Sequence, residues 1–269
     1  MNTTTSADGT VVRLHDEGSG PPVLLLGPGL DDGSRTKKLA GFLTPRFRVL
    51  RPHRRQYRMD LKAGGPASIA QEVDDVLAIA ASVGEPLIVY GHSSGGVVAL
   101  EALATSSRAF AAAVIFEPPS VITPAHSEKN TRGVARTRAA IARGRPARAI
   151  TAFMRHVGLS PSQARLAGLI TMLLPRYRTL VPAQIDDLDA LTKLGVRLDV
   201  YAGITTPTLL LGGDRSPANL SRRLDAIEQA MPHAERLVMR DRDHGADLKH
   251  PRQVARIVER FADSVLGDP

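Results

Sequence analysis

The sequence predicts an α/β fold: a mostly parallel central sheet flanked by helices, with a helical cap inserted between two late core strands. Three observations predict it. Short β-prone apolar runs alternate with helical patterns along most of the chain, the order that builds a parallel sheet covered on both faces. One such run, Leu87-Ile88-Val89-Tyr90, is cut off by Gly91-His92-Ser93-Ser94-Gly95 and followed at once by the apolar helix-forming stretch Val97 to Ala104. The gap from Pro118 to Thr206 is too long for a simple crossover and carries helical spacing of its own.

Val11 to Leu14 and Val23 to Leu26 read as strands, separated by the turn-rich Glu17-Gly18-Ser19-Gly20-Pro21-Pro22. Phe47 to Leu50 reads as another. Ile69, Val73, Val76, Leu77, Ala80 and Val83 fall at helical spacing, and Gly84 and Pro86 stop that helix. Ala112 to Phe116 is a strand ended by Glu117-Pro118-Pro119. Thr208 to Leu211 and Arg236 to Met239 supply two more, with a helix from about Leu220 to Ala230 between them, and Val254 to Val265 closes the chain as an amphipathic helix. The long gap is rich in Ala and Arg and is broken by Gly144, Pro146, Gly158, Pro161, Pro175 and Pro182, so it reads as several short helices. The expected division is a core of residues 1–117 and 207–269 and a cap of residues 118–206.

Composition narrows the function classes. At 269 residues the chain can bury a full core, and a 43% hydrophobic fraction is ordinary for a globular protein. No stretch approaches the roughly 18 apolar residues of a membrane span, and Met1 to Thr10 lacks the order of a secretory signal. With cysteine absent, disulfides, thiolate metal sites and thiol catalysis are excluded. A cytoplasmic location with no membrane partner is expected. The net charge of +8 is uneven: from Glu128 to Arg178 there are eleven basic residues (Lys129 and Arg132, 136, 138, 143, 145, 148, 155, 165, 176 and 178) against Glu128 alone. Such a segment is either a solvated helix surface or a face for an anionic partner. Nucleic acid is not expected, since few aromatics are interleaved for stacking and no binding motif appears.

Strand, tight turn and helix around Gly-x-Ser-x-Gly are the setting of a nucleophile elbow. The residues two before and two after the serine must be small, a demand Gly91 and Gly95 meet for Ser93 and His92 would fail for Ser94. A serine hydroxyl is a weak nucleophile until a positioned base removes its proton, and that base needs an orienting acid. His244, in Arg242-Asp243-His244-Gly245 past the last strand, is the leading base, ahead of His250, which looks like the start of the final helix. Asp214 is the leading acid because it directly follows Thr208-Leu209-Leu210-Leu211-Gly212-Gly213; Glu117, ending the preceding strand, is its rival.

Taken together, Leu24-Leu25-Leu26-Gly27-Pro28-Gly29, the elbow, Phe116-Glu117-Pro118-Pro119, Leu211-Gly212-Gly213-Asp214 and His244 resemble the α/β-hydrolase family over the whole chain. The local wording is similar to small bacterial, actinomycete-type serine hydrolases, some of which serve secondary metabolism. The resemblance implies that Ser93 attacks an acyl carbon while His244 takes its proton, held by Asp214, and that the amides of Ser94 and Gly29 meet the oxyanion. It implies no metal and no organic cofactor. Three places depart from the family wording, one being Asp214, which stands one residue closer to its strand than the commonest family spacing and so keeps Glu117 open as the acid. Pro28, which has no amide hydrogen, stands in the oxyanion loop, and His53-Arg54-Arg55-Gln56-Tyr57-Arg58 replaces the family's Asp-Arg-Arg-Gly-x-Gly. The basic cap and the Arg54/Arg55 pair are expected to steer an anionic small molecule toward the site. The leading function is a carboxylic-ester or lactone hydrolase acting on a small acyl substrate. The alternatives are a thioesterase or cyclase acting on a coenzyme A-bound chain or one held by an acidic carrier protein, and a hydrolase-shaped protein that binds ligand or catalyses a cyclisation or lyase step.

Overall fold

The computed structural model describes residues 1–31 and 33–267, and of Lys62, Ala63, Gly64 and Arg176 the backbone only. The side chain of Arg176, one of the eleven basic residues above, therefore lies outside the described ones. Eight strands form one sheet: β1 (Asn2–Thr5), β2 (Val11–Glu17), β3 (Pro22–Leu26), β4 (Arg48–Pro52), β5 (Leu87–His92), β6 (Phe110–Phe116), β7 (Thr208–Gly213) and β8 (Glu235–Met239). Their order is β1-β2-β4-β3-β5-β6-β7-β8. The pairs β1/β2 and β2/β4 are antiparallel, and every later pairing is parallel.

The helices are α1 (Lys37–Leu43), α2 (Ile69–Val83), α3 (Ser94–Thr105), α4 (Pro124–Ala142), α5 (Pro146–His156), α6 (Pro161–Leu173), α7 (Pro175–Leu194), α8 (Leu198–Tyr201), α9 (Ala218–Ala230), α10 (Ala246–Lys249) and α11 (Pro251–Leu266). Helix α2 begins at a capping box of Ser68 and Gln71 and ends at Gly84 with φ 80°. In the segment between β6 and β7, Pro146, Pro161 and Pro175 open helices, where a missing N–H costs nothing. Pro182, read from the sequence as a break, instead lies inside α7. Its buried neighbours Leu180, Val181, Ala183, Ile185 and Leu188 pack into one apolar cluster and offset the lost backbone bond. Two elements lack an apolar signal. Strand β1 is Asn-Thr-Thr-Thr, an edge held by pairing to β2, and α1 is too short for periodicity to show, although Leu39, Ala40 and Leu43 seat it.

Two apolar clusters sandwich the sheet. One joins α2, α3 and α9 to one face, and the other joins α1 and α11 to the opposite face. A third lies among α4, α5 and α7 and includes Leu30 and Tyr57 from the core. Register sets the functional edge: Leu26 pairs with Gly91, and His92 with Phe116, so β3, β5 and β6 end level and the loops leaving them meet. Among the described residues no helix is long and apolar enough to cross a membrane.

Helix α3 presses against the end of β3. A Cβ on Gly95 would lie 2.4 Å from the Gly27 carbonyl oxygen and 2.5 Å from that of Leu26. Gly41, within α1, has open space instead. Urea unfolding should therefore show opposite shifts. Gly95→Ala is expected to lose about 1–3 kcal/mol or more through overpacking against rigid backbone, and Gly41→Ala to gain about 0.5–1 kcal/mol from helix propensity.

Candidate active site

The turn from β5 into α3 holds Ser93 at φ 54° and ψ −125°, a conformation few non-glycine residues adopt. Two backbone bonds fix it: the Ser93 N–H donates to the Phe116 carbonyl at 2.9 Å, and the Gly96 N–H donates to the Ser93 carbonyl at 2.8 Å. A Cβ on Gly91 would stand 2.8 Å from both the Gly95 oxygen and the Gly96 Cα, which explains the small residues flanking the serine. The Ser93 side chain caps nothing in α3. Ser94 differs. It is buried, its hydroxyl accepts a bond from Arg54 Nη1 at 2.7 Å, and its N–H, first in the helix, has no intrahelical acceptor.

His244 lies between β8 and α10, and its Nδ1 is 2.7 Å from Glu117 Oε2. Glu117 directly follows β6 at φ 44° and is 1% exposed; its other oxygen accepts the Gly213 N–H at 2.8 Å. Asp214 is exposed, and its backbone N–H bonds to Met239 O. The structure thus brings Glu117 to His244, not the leading sequence candidate Asp214. The reason is geometric: β6 is one strand nearer the elbow than β7, and Glu117 turns inward through a left-handed residue. Burial pushes the Glu117 carboxyl up, but its contact with His244, the nearby imidazole and the bond from the Gly213 N–H hold it below the ordinary glutamate value. His244 is also held below its usual 6.5, by desolvation first, with Glu117 opposing and His92 adding to the shift.

The His244 ring meets the His92 ring edge-on at 4.6 Å between centroids, and His92 stacks on Phe116 at 4.6 Å. His92 adjoins Ser93 in sequence and Phe116 adjoins Glu117, so the stacked rings lie at the sheet edge where β5 and β6 end and where His244 meets Glu117. His92 itself is buried, and its Nδ1 stands 2.7 Å from Asp247 Oδ2, out of line for a hydrogen bond. His250 stands at the start of α11, as the sequence suggests, without a capping bond from its side chain. Gly29 lies on the loop leaving β3. A Cβ there would stand 2.0 Å from Gln184 Oε1 of α7, and the next residue, Leu30, takes φ 53° and buries its side chain in the third apolar cluster.

Behind the elbow is a buried charge cluster that sequence reasoning missed. Arg54 donates through Nε and Nη2 to Glu72 at 3.0 and 2.6 Å, through Nη2 to Asp187 at 3.1 Å, and through Nη1 to Gly27 O at 3.2 Å as well as to Ser94. Tyr57 donates to Asp187 at 2.7 Å. One guanidinium therefore ties α2, α7, the β3 loop and the elbow together. Burial raises the Glu72 carboxyl, with Arg54 opposing. Its neighbour Arg55 pairs with Asp75 and Asp8. With Arg54 6% and Arg55 8% exposed, and both committed to carboxylates, neither is free to steer an anionic substrate, contrary to the sequence expectation. A signal existed: Glu72 falls on the same face of α2 as Ile69, Val73 and Val76, and a carboxylate on a buried stripe asks for a buried cation. From α9, Arg223 donates to the carbonyls of Pro119 and Ser120, bracing the loop just past Glu117; burial lowers its guanidinium to about 10. A cavity of 350 Å³ opens between the start of α2 and α7, and no candidate catalytic residue lines it.

A sequence profile of the alpha/beta hydrolase family matches residues 23–257. The chain is similar in structure to an alpha/beta hydrolase from Sphaerobacter thermophilus, with 25% identity, 97% of this chain and 99% of that one covered, and a TM-score of 0.78. It is also similar to a thermophilic esterase from Thermogutta terrifontis, solved with malate bound (20% identity, 98% of each chain, TM-score 0.76). A third is the esterase RhEst1 from Rhodococcus sp. ECU1013 (19% identity, 98% of each chain, TM-score 0.74). None of the curated proteins matches.

The buried cluster makes Arg54 the costly residue to lose. Arg54→Leu strands Glu72 and Asp187 without their cation, and the expected loss is about 3–5 kcal/mol in denaturant unfolding. The triple replacement Arg54→Leu, Glu72→Leu, Asp187→Leu is expected to recover part of that loss.

Proposed function

The chain belongs to the alpha/beta hydrolase family, and from that premise we propose that it hydrolyses carboxylic esters or lactones of small molecules through an acyl-enzyme on Ser93. The observation that carries this reading is the 2.7 Å contact between His244 and Glu117 beside a serine held in strained backbone. Ser93 Oγ attacks the acyl carbon as His244 Nε2 takes its proton. Glu117 accepts the Nδ1–H, which fixes the tautomer and stabilises the imidazolium that forms. The amides of Ser94 and Gly29 receive the oxyanion, each donor being worth roughly 3 kcal/mol of barrier. Pro28 can contribute none. As the tetrahedral intermediate collapses, His244 returns the proton to the leaving alkoxide. Water then attacks the acyl-enzyme, gives its proton to His244, and releases the acid as Ser93 regains its hydrogen.

In this mechanism Glu117 fills the role the sequence offered first to Asp214. The desolvation that lowers the His244 pKa favours the neutral imidazole, the form able to accept the serine proton.

A panel of p-nitrophenyl esters, lactones and acyl thioesters tests the reading, with Ser93→Ala expected to abolish turnover beside an active wild type. Glu117→Gln should reduce kcat by about 10⁴-fold, whereas Asp214→Asn should leave it unchanged; the reverse ranking would return the acid to Asp214. For the wild type, the acid limb of kcat/KM against pH should have its midpoint below 6.5, because His244 must be deprotonated to act and its pKa is depressed.

A further inference from the structure

The solvent side of α6 is apolar. Its inward side consists of the small buried residues Ala164, Gly168 and Thr171, and a Cβ on Gly168 would lie 2.3 Å from Thr151 Oγ1, so this side seats on α5. At about 100° per residue, Leu166, Leu169, Ile170 and Leu173 fall on the opposite side. They are 59, 57, 48 and 70% exposed, and Leu174 continues the patch. A surface helix ordinarily shows the reverse arrangement. Single exposed leucines need no explanation, but a contiguous aliphatic face does.

The cap segment that carries this helix has charge of one sign. From Lys129 to Ile185 there is no acidic residue. Of the described arginine side chains in that stretch, Arg132 and Arg138 pair with carboxylates. Arg136, Arg143, Arg145, Arg148, Arg155, Arg165 and Arg178 are exposed, and no carboxylate among the described residues pairs with them. Two copies meeting through this face would bring their unpaired arginines together, so like charge disfavours self-association. An aliphatic face without Trp, Tyr or Phe also lacks the anchors that enrich protein interfaces. Leucines and isoleucine flanked by arginines instead match a surface that is apolar beneath and anionic above.

We propose that α6 docks on an anionic phospholipid bilayer, laying Leu166, Leu169, Ile170 and Leu173 into the boundary of the acyl chains while the neighbouring arginines meet the phosphates. The sequence expectation of no membrane partner rested on span length, which is silent about a helix lying flat on the surface. Docking is independent of the chemistry proposed at Ser93.

Co-sedimentation of the full chain with sucrose-loaded vesicles tests it. Vesicles of equal parts phosphatidylglycerol and phosphatidylcholine should pellet the protein in low salt, pure phosphatidylcholine should not, and added NaCl should release it. Leu169→Glu and, separately, the pair Leu166→Glu with Leu173→Glu should each weaken vesicle binding more than tenfold while thermal unfolding stays unchanged, as expected for exposed positions. The proposal is overturned if neither vesicle binds, if both Glu variants bind as the wild type does, or if gel filtration shows a dimer that Leu169→Glu dissolves, which would make a second copy the occupant.

Discussion

The carbonyl oxygens of Leu26 and Gly27 stand so close to α3 that the helix can pass only where residue 95 has no side chain. That contact sets the distance between β3 and the start of α3, and the rest of the site is measured from it. With α3 pressed down, the chain leaving β5 must reverse within one residue, and Ser93 takes up the strain. The bond from Ser93 N–H to Phe116 O then fixes the elbow against the end of β6, where Glu117 begins. One close approach of backbone to backbone thereby places the serine, the loop that carries Gly29 and the carboxylate that meets His244.

The polar interior serves the same geometry. Arg54 spends its donors on two carboxylates, a carbonyl of the β3 loop and the Ser94 hydroxyl, so the helix that would supply one oxyanion donor and the loop that would supply the other share a single rigid support. Asp187 and Gln184 bring α7 into that support, while Leu30 passes from the core into the apolar cluster of α4, α5 and α7. A buried charge cluster adds little stability in net terms, because desolvation of each ion offsets the attraction. Its consequence here is fixed placement of loops that would otherwise be free to move.

Much of this was legible in the residues. The β5 run, its glycines and the apolar α3 identified the elbow because three independent signals (propensity, small-residue spacing and the following helix) agreed on one position. The central parallel strands β3, β5, β6 and β7 were readable for the same reason: buried on both faces, they show as unbroken apolar runs. Edge strand β1 was not, because its polar threonines are held by pairing alone. The choice between Glu117 and Asp214 depends on strand order and on the left-handed turn at Glu117, and neither is local in sequence. Arg54 looked like a surface cation because its partners lie 18 and 133 residues away. Glu72 on the buried stripe of α2 was the residue that could have betrayed it.

The proposed mechanism requires that Ser93, held at the strained elbow and served by His244, be a reactive nucleophile. Treatment of the folded protein with a serine-directed fluorophosphonate, followed by peptide mass spectrometry, tests it most directly. A single phosphonyl adduct on Ser93 is expected. A folded protein that takes up no label, or takes it on Ser94 or another residue, would contradict it.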